Sequence, residues 1–180
     1  LNDAAMGLSL RGVDFALVRM KPTDETDTRT FYALRARAAE VALVGVEGIT
    51  LAIESVVVEI NGGSGGVVVD FATTYESVPG AGDGAVVIDT GAGEGGGNAV
   101  EFPLDYGDAL LRALGTATIV IDQYVYARGA LAFEKTTATV TVTDGTTATP
   151  GVEVEILSVG AADVHVFAGV NGPYWTEDTD

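Results

Sequence analysis

Apolar and polar residues alternate with a period of two through most of this chain, the signature of half-buried β-strands. Ala138, Val140 and Val142 alternate with Thr137, Thr139, Thr141 and Thr143. Val152, Val154 and Ile156 alternate with Glu153 and Glu155. Two turn signals, Asp144-Gly145 and Pro150-Gly151, lie between these runs, so the pattern predicts a hairpin with a longish loop. Ile49, Leu51 and Ile53 share one phase, opposite Thr50 and Glu54. Val164, Val166 and Ala168 share another, opposite His165 and Phe167. Further strands are predicted over residues 13–20, 31–46, 55–60, 67–73, 85–90, 99–104 and 116–134. The two long runs are expected to break once each, near Glu40 and near residues 127–129. Residues 106–114 are the one helix-like stretch, and a strand opening fits them equally well.

Glycine punctuates the pattern. Residues 61–66 read as a hairpin loop between 55–60 and 67–73. Residues 91–98 form a longer glycine-rich stretch, which with 79–84 frames a weak centre. The expectation is a single β domain over 1–180, or two β-rich halves, 1–78 and 99–180, around a glycine-rich middle hairpin. Segments 36–53 and 112–133 share a strand–break–strand outline, which alternating sheets share by default. The expected fold class is all-β and predominantly antiparallel, a sandwich or an elongated two-sheet stack. The alternative is a solenoid-like or tubular β arrangement.

Composition narrows the function. Apolar residues make up 47% of the 180, enough for a packed core and too many for a disordered chain. Glycine outnumbers proline 24 to 5, so turns here rest on positive φ. The net charge is −17 with nine basic residues, which argues against a nucleic-acid partner and against an anionic membrane surface. No apolar run is long enough for a membrane-spanning helix, and membrane insertion is not expected. The absence of cysteine fits a cytosolic protein, and equally a secreted bacterial one stiffened by calcium instead of disulfides. The chain opens at Leu1 with no basic leader, as expected of a piece of a longer polypeptide.

Two strings imitate catalytic motifs. Gly62-Gly63-Ser64-Gly65-Gly66 matches G-x-S-x-G, but a nucleophile elbow needs a helix after the turn, and a strand is predicted there. Gly91-Ala92-Gly93-Glu94-Gly95-Gly96 matches G-x-G-x-x-G, but no helix follows it, and Glu94 would repel a phosphate. His165 is the sole histidine and reads as a packed or surface side chain of a strand. Carboxylates are too numerous for any pair to mark a hydrolase site. No catalytic residue is assigned, and enzyme activity is not expected.

The acidic clusters carry more. Asp24 and Asp27 sit with Glu25 in a polar loop after Pro22, and Glu177, Asp178 and Asp180 close the chain. Calcium takes several oxygen ligands closely spaced on a loop, so these are the candidate metal ligands. The plainer reading is a solvated acidic loop and, over 176–180, the start of an acidic linker. Tyr174 and Trp175 are the candidate ligand-binding aromatics, suited to stacking on a glycan. Arg35 and Arg37 share one strand phase and should pair with acids across the sheet.

Several phrases in order resemble a known repeat. They include Gly12-Val13-Asp14-Phe15-Ala16-Leu17-Val18, Tyr32-Ala33-Leu34-Arg35-Ala36 and Val44-Gly45-Val46-Glu47-Gly48-Ile49-Thr50-Leu51. Leu110-Leu111-Arg112-Ala113-Leu114-Gly115-Thr116, Leu131-Ala132-Phe133-Glu134-Lys135 and the closing Val166-Phe167-Ala168-Gly169-Val170-Asn171-Gly172-Pro173-Tyr174-Trp175 follow. Together they look like the long repeat unit of giant RTX-like secreted or surface adhesin-type proteins of bacteria. The resemblance covers nearly the whole chain and carries over no catalytic residue. It implies tandem copies or neighbouring domains as partners, an extracellular or cell-surface location, calcium as a stiffener and a structural or adhesive role.

Overall fold

The computed structural model describes residues 5–74, 86–89 and 101–175. The glycine-rich stretches 79–84 and 91–98 and the acidic tail 176–180 lie outside them, as do parts of the strands expected at 85–90 and 99–104. Six long strands form one antiparallel sheet: β1 (Gly7–Met20), β2 (Phe31–Val44), β3 (Ile49–Gly63), β6 (Leu110–Ile121), β7 (Val125–Thr143) and β8 (Ala148–Ala168). Their order is β1-β2-β3-β6-β7-β8, so β1 and β8 are edges and the sheet does not close. Between β3 and β6 the chain makes an excursion. It contains a 3-10 turn at Ser64–Gly66, one helical turn α1 (Phe71–Thr74) and a two-stranded ribbon, β4 (Val86–Asp89) with β5 (Glu101–Leu104). The fold is thus all-β and antiparallel, as the alternation predicts. Its second sheet is the ribbon, which lies against one end of the large sheet. There Phe71, Leu104 and Tyr106 are buried with Ala33, against Val18, Met20, Val69, Ile88 and Leu110.

The hairpin turns follow local chemistry. Asp122 (φ 45°) and Gln123 (φ 60°) occupy consecutive left-handed positions in the three-residue connection 122–124 from β6 to β7, closed by the Tyr124 N–H donating to the Ile121 carbonyl at 2.9 Å. Gly45 and Gly48, both at φ 75°, flank the β2–β3 turn, and the Asp122 N–H donates to the Gly48 carbonyl at 2.7 Å. The two hairpin tips therefore meet at the far end of the sheet from the ribbon. At the β7–β8 tip, Asp144 Oδ1 accepts from the N–H groups of Thr146 (2.8 Å) and Thr147 (2.7 Å).

Several boundaries differ from the sequence reading. β2 runs through Glu40 without a break, because Glu40 pairs with Arg11 on one side and Glu54 on the other. The break expected at 127–129 falls at 122–124 instead. Gly129 stays in β7 and absorbs a bulge. Residues 61–63 belong to β3, and 67–73 form coil and α1, since Phe71 turns inward to plug the core. Residues 164–168 are the end of one long strand that also passes Pro150, which an edge strand tolerates.

The apolar phase switches partway along four strands, and bulges absorb each switch. β6 carries no insertion, so its odd-numbered residues from Leu111 to Ile121 share one face. In β3, Ser55 and Val56 together oppose Gly115, and Ser55 has φ 53°. β2 and β1 stay in register with β3, which puts Ala39 opposite Ser55 and Gly12 (φ 58°) opposite Ala39. The extra residue thus recurs side by side in three strands. In β8, Asp163 (φ 50°) is the extra residue beside Gly129. Ile49, Leu51 and Ile53 consequently share a face with Val56, Val58 and Ile60, although their sequence parity is opposite.

Candidate functional site

The two faces of the six-stranded sheet differ in chemistry. One carries the ribbon and holds nearly every ion pair of the sheet. Cross-strand register places Arg35, Glu59, Arg112 and Glu134 in one row over β2, β3, β6 and β7. Glu59 is 4% exposed and sits between two guanidinium groups. Arg35 Nε lies 3.3 Å from Glu59 Oε1, and Arg112 Nε donates to Glu59 Oε2 at 2.6 Å. Arg112 also lies 3.6 Å from Glu134, and its guanidinium is held more basic than usual, mainly by the bond to Glu59. Arg35 further donates to the Pro103 carbonyl at 3.1 Å, tying the row to the ribbon. Asp14–Arg37, Arg11–Glu40 and Glu54–Arg128 extend the charge pattern down the same face. The cross-strand pairing expected of Arg35 and Arg37 is therefore present.

A buried amide holds the excursion to this face. Asn61, 2% exposed, donates through Nδ2 to the carbonyls of Val69 (3.0 Å) and Asp108 (2.9 Å), at the two arms of the excursion. Phe71 N–H donates to the Tyr106 carbonyl at 2.8 Å. Burial, with the Glu59 charge second, pushes the Tyr106 phenol well above its ordinary range, so it stays neutral beside the charged row.

At the far end the tail returns over the same face. Trp175 lies against His165 (5.6 Å between ring centroids) and edge-on to Tyr174 (5.0 Å). Phe167 continues the cluster to Tyr174 (6.3 Å) and Tyr126 (6.1 Å). Pro173 and Trp175, with Thr118, Tyr126 and Arg128, line a depression of about 320 Å³. Tyr174 and Trp175, picked out from the sequence, are thus brought together. His165 and Phe167 were visible in the sequence only as one phase of a strand. His165 Nδ1 is 2.9 Å from the Asp163 carbonyl oxygen, the residue of the β8 bulge.

The opposite face is apolar and nothing among the described residues covers it. Phe15 is 59% exposed, Leu157 62% and Val159 74%. Val13, Leu17, Leu131, Phe133, Val164 and Val166 are exposed on the same face. Its formal charges gather at the ribbon end: Arg19 on β1, Glu153 on β8, and Lys135 paired with Glu155 at 2.9 Å. Gly62 leaves the space that the ring of Tyr32 occupies on the neighbouring strand, where a Cβ would collide with it.

The candidate calcium ligands divide. Asp24 Oδ1 accepts from the Thr26 N–H (2.9 Å) and hydroxyl (2.8 Å), bonds that hold its carboxyl below its usual range. Asp27 is engaged through both oxygens by Arg29 and is likewise lowered. As arranged, both carboxylates are engaged within the loop itself. Glu177, Asp178 and Asp180 lie outside the described residues. Among the described residues no three acidic or imidazole groups converge on one point. Ser64 Oγ accepts from the Thr30 N–H at 3.0 Å, which gives the G-x-S-x-G serine a structural duty. The 91–96 string lies outside the described residues. No protein-family model, curated protein or solved structure matches this chain.

Proposed function

We propose that this chain is a structural or adhesive module of a large extracellular bacterial protein, working beside other copies or neighbouring domains. One observation carries the reading: among the described residues the sheet ends in two edge strands with no further strand beside them, β1 of 14 residues and β8 of 21. Such edges present rows of free backbone donors and acceptors, a template for another strand. The strong negative charge keeps copies soluble until a specific contact forms. Beads coated with the chain should cluster with one another or attach to bacterial cells. Turnover of ester or glycoside substrates by the chain, without any such attachment, would overturn the proposal.

The aromatic cluster at the far end favours a second reading, a carbohydrate-binding module. Tyr174 is exposed, and Trp175 borders a depression that also contains Arg128 and Thr118. Sugars stack on such rings while polar neighbours bind their hydroxyls. Binding on a glycan array that Trp175→Ala abolishes would support this reading. Calcium would belong to either reading through the loop of Asp24 and Asp27 or the tail acids, and a melting temperature unmoved by calcium would remove it.

A further inference from the structure

We propose that two copies of this chain pack face to face through the uncovered apolar face of the six-stranded sheet. The inference rests on the reading of the chain as an associating structural module and names the surface and the partner.

Extent is the first argument. Six strands span about 24 Å, and the eleven residues from Leu111 to Ile121 extend about 34 Å, which gives roughly 800 Å² of sheet face. That matches the ~800 Å² each partner contributes to a standard stable interface. It also exceeds the ~300–600 Å² of the largest apolar patch on a typical monomer.

The placement of charge leaves this face open to a second copy. The chain has a net charge of −17, yet the central rows of this face carry no ionised side chain. Two copies meeting here keep their ion-paired ribbon faces outward in water on opposite sides. An anionic lipid surface would meet a strongly negative molecule. A basic partner would find its counter-charges on the other face.

Geometry fits the same partner. The ribbon, α1 and the Pro173–Trp175 tail all lie on the opposite face, so no described element obstructs the approach. The aligned bulges keep one apolar surface along the whole sheet, which two-fold pairing needs, because each copy must offer the same patch. Sheets packed in this way lie about 10 Å apart with interdigitated side chains. Arg19, Lys135 and Glu155 would form a polar rim at one end of each copy.

Sedimentation velocity of the whole chain, from about 1 to 100 µM, tests this, because interfaces of this size hold at micromolar concentrations or below. The expected result is a reversible dimer. Leu17→Lys and Val159→Lys, both at exposed positions, should weaken it at least tenfold with unchanged far-ultraviolet circular dichroism. Ser158→Lys, one residue along on the ribbon face, should leave it intact. A monomer at every concentration would overturn the proposal, as would a dimer indifferent to both apolar-face substitutions. If the chain is monomeric but coated beads still adhere, the structural reading stands and this inference alone falls. If the dimer forms and beads do not adhere, the reverse holds.

Discussion

The ribbon face and the apolar face belong to the same strands, yet they are organised by different means. On the ribbon face, a few long-range contacts fix individual side chains. Glu59 lies between Arg35 and Arg112, and Asn61 bridges Val69 and Asp108. On the apolar face, no side chain is singled out, and the order lies in the phase of the whole array. The first face stabilises the fold of one copy. The second contributes less to a lone copy, because large side chains such as Phe15, Leu17, Leu157 and Val159 stay mostly in water. Where apolar area and structural specificity fall on opposite faces, the apolar side is available for association.

The sharpest test of this contrast is one substitution made on both faces. Phe71→Ala removes a fully buried ring from the core under the ribbon and should cost about 4 kcal/mol. Phe15→Ala, on the apolar face, should cost less than ~1 kcal/mol in dilute solution. Chemical denaturation of the two variants compares them directly. Equal losses would mean that the apolar face is covered in a single copy.

Glu59→Ala comes next. It leaves two guanidinium groups facing each other at the edge of the core and should cost about 3 kcal/mol. Glu59→Gln retains the shape and loses the charge, so the gap between the two variants measures packing against electrostatics. Asn61→Leu strands the carbonyls of Val69 and Asp108 and should cost about 2 kcal/mol. Its signature is local: amide exchange should accelerate at Phe71 before it does in β7.

The smallest expected effect is at the β7–β8 tip. Backbone N–H groups of Thr147 and Thr146 hold the Asp144 carboxyl below its usual 3.8. A depressed carboxylate contributes stability above its unfolded value and loses it as pH falls through the folded one. Asp144→Ala should therefore speed amide exchange at residues 146 and 147 near neutrality. The difference from the parent chain should vanish in acid.

Much of the fold was legible in the sequence wherever phase was constant. The β7–β8 hairpin and the opposite orientations of Val164 and His165 follow directly from alternation. Alternation failed where a bulge intervened. Leu8 and Leu10 differ in parity from Val13, Phe15 and Leu17, and only the pairing with β2 shows that they share a face. Glu59 gave no signal, because a carboxylate between Val58 and Ile60 looks like any solvent-facing residue of a strand. Its burial depends on Arg112, 53 residues later, arriving in the adjacent strand. Residues 67–69 are β-branched and read as strand, but the excursion needs them to lead Phe71 into the core. At the far end, Tyr174 and Trp175 could be picked out by type. Their neighbours Phe167 and His165 could not, since the tail's return over the sheet has no periodic signature.

The row formed by Gly12, Ala39 and Ser55 couples the lengths of three strands that are distant in sequence. Losing one of these residues alone would invert half a strand relative to its neighbours, turning leucines toward the charged side. Losing all three together would leave every partner matched. Chain length at these positions should therefore vary among related sequences as a set of three, so that insertions and deletions here are inherited jointly across the sheet.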